Sequence, residues 1–281
     1  MTRTFTVVVP TRDRPGDLSA CLRSVEEADD GRLLEIIVVD DGSGVPARVP
    51  PAEGRVAVRL VRHDRPEGPD QSRNEAVRIA RADDIVFLDD DARMAHDWFA
   101  VASGVVDTGI RAFTGRVLPF DSGLLSRARQ WRYDQRYAGM ASGQAAGFFA
   151  GGNSVIDREL FLRVGGFPVR SAGGDNGIVA RLAGAGVATT FVRELRILHR
   201  NGKGLRIAAE RAWLAGRAAS AGRPQEIIEE CARSLRSLHR APLDIAAVNG
   251  ILQILNTTGQ LLSGVDNQVR GGSSDSARRG D

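Results

Sequence analysis

The sequence predicts an α/β fold in which a mostly parallel sheet is flanked by helices, with a helical extension at the C-terminus. Two observations predict it. Through the first half, short β-branched runs alternate with segments whose apolar residues recur at helical spacing. Three of those runs stop on polar clusters, Pro10-Thr11-Arg12-Asp13, Asp40-Asp41 and Asp89-Asp90-Asp91. In open parallel sheets the ligand crevice lies outside the carboxyl ends of the strands, so these acids stand where a ligand would sit.

Thr6 to Val9 is an unbroken β-branched run and reads as a buried strand. Leu18, Cys21, Leu22 and Val25 then fall on one face of a helix. Ile36 to Val39 is a second buried strand ending on the turn Asp40-Asp41-Gly42-Ser43, and Val56 to Val61 alternates as a third. A helix from Gln71 to Arg81 leads into the strand Ile85 to Leu88. From Arg111 the pattern loosens. Phe113 to Leu118 reads as a strand, Leu124 to Tyr137 as an arginine- and aromatic-rich helix or loop, and Gly147 to Ile156 as a glycine-rich turn entering an apolar run. A short helix over 158–164 follows, then a helix from Asn176 to Ala185 ended by Gly186, then two short strands between Val187 and Leu198. The remainder is helical: Leu205 to Ala219, Gln225 to Leu238, and Leu243 to Leu262 with Ile245, Val248, Leu252 and Leu255 on one face. The expected division is a domain over 1–204, a helical extension over 205–266 and a disordered Gly/Ser-rich tail over 267–281.

Composition narrows the function classes. Over 281 residues, 42% are hydrophobic and 26% charged, which excludes collagen-like, disordered and disulfide-scaffold classes for most of the chain. Cys21 and Cys231 form no framework and no CxxC pair, so a reducing, cytoplasmic setting is expected. The chain enters its first strand without a signal-peptide apolar region, and no uninterrupted apolar run of about 20 residues is available to span a membrane. The formal charge is +3; Lys203 to Arg240 carries eight basic and four acidic residues, a balance of +4. No dense basic stripe with interleaved aromatics occurs, so no nucleic-acid partner is expected. The basic segment and the amphipathic last helix leave two readings: a helical cap on the core, or peripheral contact with an anionic membrane.

The strand-end acids carry the chemistry. Carboxylates repel a diphosphate unless a divalent cation lies between them; unit charges about 4 Å apart interact by on the order of 4 kcal/mol at an effective dielectric near ~20. Mg2+ takes one or two carboxylates and completes its shell with phosphate oxygens and water, and Asp89-x-Asp91 on a tight turn suits that task. A solvated acidic turn is the alternative. Asp41 is placed to accept the imide N–H of a uracil or thymine base, or simply to make a turn.

Taken in order, Val7 to Arg14, Ile37-Val38-Val39-Asp40-Asp41-Gly42-Ser43, Gln71-Ser72-Arg73-Asn74-Glu75-Ala76 and Phe87-Leu88-Asp89-Asp90-Asp91 resemble family 2 glycosyltransferases of the GT-A fold. The resemblance continues in Gly151-Gly152-Asn153-Ser154, Val164-Gly165-Gly166-Phe167, and Asp175 followed by Arg181-Leu182, and spans about 4–202. It implies an inverting, metal-dependent enzyme of hexosyltransferase type. Such an enzyme moves a sugar from a nucleotide-diphosphate donor to an acceptor hydroxyl with Mg2+ or Mn2+. By the resemblance, Pro10, Thr11, Arg12, Asp41, Arg73, Asp89 and Asp90 surround the nucleotide. Asp89 and Asp91 are the metal pair, which His199 can join; His199 reads equally as a surface histidine at a strand end. Gly151, Gly152, Asn153 and Asn176 shape the donor and acceptor pocket. Asp175 is the base, six residues before the Arg of Arg181-Leu182, although Gly174 stands where the family has Glu. Arg200 and Lys203 are further candidates for neutralising the diphosphate.

Two other functions remain open at this stage. A non-catalytic sugar-nucleotide-binding or scaffold protein is consistent with Gly174. A nucleotidyltransferase is weaker, because no Gly-rich basic phosphate loop follows Val9. The sugar, the base and the acceptor are not encoded in any motif.

Overall fold

A computed structural model describes residues 2–49, 56–168, 174–202, 204–218 and 223–276, with the side chains of 174–176, 218 and 264–276 outside the described set. Two compact units divide the chain. The first comprises residues 1–120, 137–169 and 174–200, and the second comprises 121–136, 170–173 and 201–281. The division therefore falls at 200 and takes in 121–136, whereas the sequence reading placed one boundary at 204.

The first unit holds a nine-stranded sheet. Its strands are β1 (Phe5–Thr11), β2 (Leu33–Asp40), β3 (Ala57–Arg62), β4 (Asp84–Leu88), β5 (Ala92–Met94), β6 (Ala112–Pro119), β7 (Ala145–Ala146), β8 (Asn153–Asp157) and β9 (Thr189–His199). The order is β3-β2-β1-β4-β8-β6-β9-β5, with β7 also on β9. β1 to β4 are mutually parallel, as are β6 and β9, while β5, β7 and β8 run against their neighbours. This is the predicted α/β architecture with a mostly parallel sheet. Every residue of β1 and β4 is buried, which is why these strands read as continuous apolar runs and not as alternations.

Helices α1 (Pro15–Ala28) and α2 (Pro69–Ile79) open on proline, which costs no hydrogen bond in a first turn. On one face of the sheet Val8, Ile37 and Ile85 meet α2 and the short helix α5 (Arg158–Arg163) around Phe87. The Phe87 ring lies 5.0–6.0 Å from those of Phe149, Phe161 and Phe167. Helix α6 (Gly174–Gly184) adds Ile178 and Leu182 to the same core.

Several expectations are corrected. The two short strands before His199 are one strand, β9, whose register against β6 shifts between Thr114 and Arg116. Gly115 sits at that shift; a Cβ there would lie 2.0 Å from the Leu195 carbonyl oxygen. The sequence reading also missed β5 and α3 (Trp98–Asp107), because a three-residue strand, and a helix whose outward positions Ala100, Val101, Gly104 and Val105 are as apolar as its buried face, leave no clear periodic signal.

The second unit is helical: α4 (Leu124–Tyr137, its last residue in the first unit), α7 (Leu205–Ala218), α8 (Pro224–Ser237) and α9 (Leu243–Ser276). Leu124 to Tyr137 is thus helix, not loop. Helix α9 continues to Ser276, past the boundary expected at 267. Extension from an already formed helix requires no new nucleation. Residues 277–281 lie outside the described set. Gly216 and Gly259 let α7 and α9 approach backbone to backbone: a Cβ on Gly216 would lie 2.0 Å from the Asn256 carbonyl oxygen, and one on Gly259 would lie 2.7 Å from that of Trp213.

Candidate active site

The register of the parallel strands assembles the site. Thr11 pairs with Asp40 and Val8 with Phe87, so the ends of β1, β2 and β4 are level and their polar residues face one crevice. Beyond β4 the chain turns through Asp89-Asp90-Asp91 into β5, which runs antiparallel to β9 and sets Ala92 opposite His199. That pairing carries His199 to the acids. Its Nε2 lies 3.0 Å from Asp91 Oδ1 and 3.8 Å from Asp89 Oδ2.

The arginines determine which oxygens remain for a metal. Arg73 Nη2 donates to Asp89 Oδ1 at 2.9 Å, and Arg14 Nη1 donates to Asp91 Oδ2 at 3.2 Å. Each carboxylate therefore turns one oxygen to an arginine and the other toward His199. Ligand atoms of Asp89, Asp91 and His199 all fall within 4.8 Å of one another. Two carboxylate oxygens and one imidazole nitrogen form a donor set that fits Mn2+ or Mg2+ with positions left for phosphate and water. This is the DxD-type metal site of the chain.

Asp90 points elsewhere. It is buried, accepts from Thr11 Oγ1 at 2.8 Å and Arg14 Nη1 at 2.9 Å, and so ties the β1 and β4 loops together. Burial, only partly offset by Arg14, raises its pKa above the ordinary carboxylate range. Thr11 and Pro10 are likewise buried, whereas Arg12 is exposed on the loop.

The nucleoside side is organised around Asp41. Its Oδ1 accepts from His63 Nδ1 at 2.9 Å and from the Glu67 amide at 2.8 Å, and its Oδ2 accepts from the Gly68 amide at 3.0 Å. Burial pushes the Asp41 pKa up, and these donors outweigh it, leaving the pKa low. His63 bridges onward to Glu75 at 2.7 Å; burial pulls its pKa down, but the two carboxylates prevail and the imidazolium is favoured. Nearby, Asp13 adopts φ 54°, a conformation rare outside glycine. It is held by its amide donating to Ser43 Oγ and by its carboxylate accepting from the Gly44 amide.

The glycine and asparagine positions divide by role. A Cβ on Gly152 would stand 2.5 Å from Asp89 Oδ2, so the absence of a side chain there leaves room for a metal-facing oxygen; Gly151 is buried beside it. Asn153 is fully buried and internally engaged. Its Nδ2 donates to the Arg116 and Leu195 carbonyls, and its Oδ1 accepts from Trp98 Nε1 at 2.9 Å. It fastens β8 to the β6–β9 pair, with both amide atoms engaged inside the protein. Asn74 clamps the Phe167 backbone through both amide atoms at 2.9 Å each, and Arg181 donates to the Gly165 and Gly166 carbonyls. Gly165-Gly166 and Arg181 thus build one corner of the fold. Arg200 pairs with Asp17 at 2.8 Å, and Lys203 lies outside the described residues. Asp175 and Asn176 begin α6, but their side chains are outside the described set.

The family model described as glycosyl transferase family 2 matches residues 6–165, more than half of the chain. The chain belongs to that family. No curated protein matches this glycosyltransferase by sequence. Among solved structures it is similar to mannosyltransferase PcManGT from Pyrobaculum calidifontis, in complex with GDP-Man and Mn2+. Identity is 20% and the TM-score 0.58, over 97% of this chain and 76% of that one. It is also similar to residues 1–349 of S. aureus TarS, at 12% identity and TM-score 0.57 over 96% and 92%. A third likeness is GalNAc-T7 with UDP, GalNAc and Mn2+, at 15% identity and TM-score 0.52, over 90% of this chain and 54% of that one. These likenesses establish the GT-A fold of this glycosyltransferase.

Three residues that organise the site escaped the sequence reading. Arg14 belongs to the recognised block but carries no spacing that links it to Asp91. His63 follows a partly exposed edge strand. Trp98 opens the missed helix α3. None of the three carried a usable signal: the acids that hold His63, Asp41 and Glu75, are its neighbours in space and lie 22 and 12 residues away in sequence.

Proposed function

We propose that this glycosyltransferase moves a sugar from a nucleoside-diphosphate donor to an acceptor hydroxyl with inversion. The donor diphosphate is held through Mg2+ or Mn2+ at Asp89, Asp91 and His199. The observation that carries the reading is the convergence of those three ligand groups, each carboxylate's second oxygen being occupied by an arginine. When bound, the metal supplies Lewis-acid stabilisation of the leaving diphosphate. The GDP-Man and UDP seen with Mn2+ in two structural relatives support a donor of this class.

In this reading the protein's own groups do the rest. Arg14 and Arg73 hold the carboxylates in one rotamer. The Asp41–His63–Glu75 chain fixes the loop that receives the nucleoside, with Arg12 exposed at its mouth. Asp175 takes the proton of the acceptor hydroxyl as its oxygen attacks the anomeric carbon, while the bond to the diphosphate oxygen breaks and its electron pair leaves with the diphosphate. The free cysteines Cys21 and Cys231 are in keeping with a cytoplasmic enzyme. Among the described residues no helix is long and apolar enough to cross a membrane.

The test is calorimetric binding of UDP, dTDP and GDP, with and without Mn2+ or Mg2+, to the wild type and Asp91→Asn. Metal-dependent binding of one nucleotide, lost in the variant, is the expected result and names the donor class. Nucleotide binding indifferent to both metal and variant would overturn the metal site. For the base, Asp175→Asn is expected to lower turnover by about 10²-fold or more. Full turnover by that variant would remove Asp175. Donor binding with no transfer to any acceptor would favour the scaffold reading that Gly174 suggests.

A further inference from the structure

Buried His63 leaves β3 with its amide donating to the Asp40 carbonyl at 2.9 Å, so the backbone fixes where its ring stands. The ring spans two carboxylates. Nδ1 lies 2.9 Å from Asp41 Oδ1, on the loop after β2, and Nε2 lies 2.7 Å from Glu75 Oε2, on α2. An ionised carboxylate only accepts, so both contacts are hydrogen bonds only when both ring nitrogens carry a proton. A neutral ring has one N–H. In either tautomer its bare nitrogen faces one of the two carboxylates, lone pair against lone pair. The bridge therefore requires the imidazolium.

The surrounding segments offer the ring no other charged partner among the described residues. Arg62 of β3 pairs with Asp40, Arg73 of α2 pairs with Asp70 and Asp89, and Asp64, Arg65 and Glu67 have exposed side chains. Burial lowers the His63 pKa and the two carboxylates outweigh it, in keeping with the geometry. The ring also stands between two parts of the proposed donor site. Asp41 accepts from the amides of Glu67 and Gly68, which lead into α2, and Arg73 of that helix holds Asp89.

We infer that His63 is a positioning residue for donor binding: its charged ring locks the Asp41 loop to α2, and nucleotide affinity falls as pH rises and the ring loses a proton. The inference rests on the reading of Asp41 as part of the nucleotide site. Below the folded pKa of the ring both bonds are made; above it one must break, and the loop is held on one side only. A site whose competent arrangement is only partly populated binds more weakly by that fraction.

The experiment uses the full chain. UDP, dTDP and GDP are each titrated calorimetrically in excess Mg2+ into the wild type, His63→Gln and Glu75→Gln. The range runs from about pH 6 to about pH 8.5, bracketing the ordinary histidine value of about 6.5 and a raised one. Titration of the nucleotide, of His199 and of the metal site is common to all three proteins and cancels in the ratios of their affinities. Across the range the wild type is expected to lose about tenfold in affinity relative to His63→Gln. Glu75→Gln makes the discriminating case. Its amide donates to Nε2 while a neutral ring donates from Nδ1 to Asp41, so the bridge survives without charge and the loss disappears. If thermal melts show that His63→Gln does not fold, the ratio of wild type to Glu75→Gln carries the same fall. Nucleotide binding with parallel pH profiles in the wild type and Glu75→Gln overturns the inference and leaves the donor site standing. Absence of binding by all three nucleotides at every pH overturns the donor-site reading and the inference with it. Proton–nitrogen NMR gives a readout independent of nucleotide, the His63 signal being the one lost in His63→Gln or shifted in Glu75→Gln. Both ring nitrogens are expected to be protonated at about pH 6; a single protonated nitrogen there overturns the bridge.

Discussion

Asp41 and His63 form a bridge whose two halves titrate in opposite directions. Asp41 has a lowered folded pKa, so its contribution is present above the unfolded value of about 3.9 and fades as pH falls through the folded one. His63 has a raised folded pKa, so its contribution is complete below about 6.5 and is lost as pH rises through the folded value above that. The bridge is therefore whole in mildly acid solution and weakens toward alkaline pH. Thermal melts over that range should show wild-type stability falling toward alkaline pH more steeply than that of His63→Gln. Parallel curves would show that His63 is not charged in the folded protein. Gly152 makes a second residue-scale case. Its missing side chain leaves space beside Asp89 Oδ2, and a methyl 2.5 Å away must displace that carboxylate. Gly152→Ala should lower Mn2+ affinity about tenfold or more, in the range seen when a ligand's support is disturbed, with little change in melting temperature. Unchanged Mn2+ affinity would mean that Asp89 is not a ligand.

Two kinds of element behave differently here. The parallel strands β1, β2 and β4 were legible because burial on both faces makes Val7 to Val9, Ile36 to Val39 and Ile85 to Leu88 unbroken apolar runs, and their ends were legible as polar stops. β5 was not legible, since Ala92-Arg93-Met94 is strand only because β9 lies beside it. In the helical unit, the crossing of α7 and α9 depends on Gly216. Glycine to alanine in a helix normally gains about 1 kcal/mol, whereas forcing extra volume into a packed contact costs about 1–3 kcal/mol. The obstacle at Gly216 is the Asn256 backbone oxygen at 2.0 Å, which no rotamer change can move. The second effect should win, and Gly216→Ala should lower the urea midpoint. A raised midpoint would mean that the helices do not cross at this glycine.

At the scale of the whole molecule, ligand binding and stability are linked. A ligand that binds only the folded chain stabilises it by about 2.7 kcal/mol at a hundredfold excess over its dissociation constant. The preferred nucleotide with Mn2+ should therefore raise the melting temperature by several degrees, and Asp91→Asn should abolish the shift. A shift that persists in the variant would separate nucleotide binding from the metal site. The sequence by itself determined the parallel half of the sheet, the position of the crevice at its strand ends and the Asp89-x-Asp91 pair. All three are local consequences of burial and turn chemistry along a few consecutive residues. Only the tertiary structure decided that His199, more than a hundred residues away, completes the pair. It also decided that Arg14 and Arg73 each engage one oxygen of Asp91 and Asp89, and that Asn153 and Asp90 are hydrogen-bonded within the framework. Each of those roles is a matter of which polar groups meet after burial has stripped them of water, and sequence spacing carries no record of such meetings.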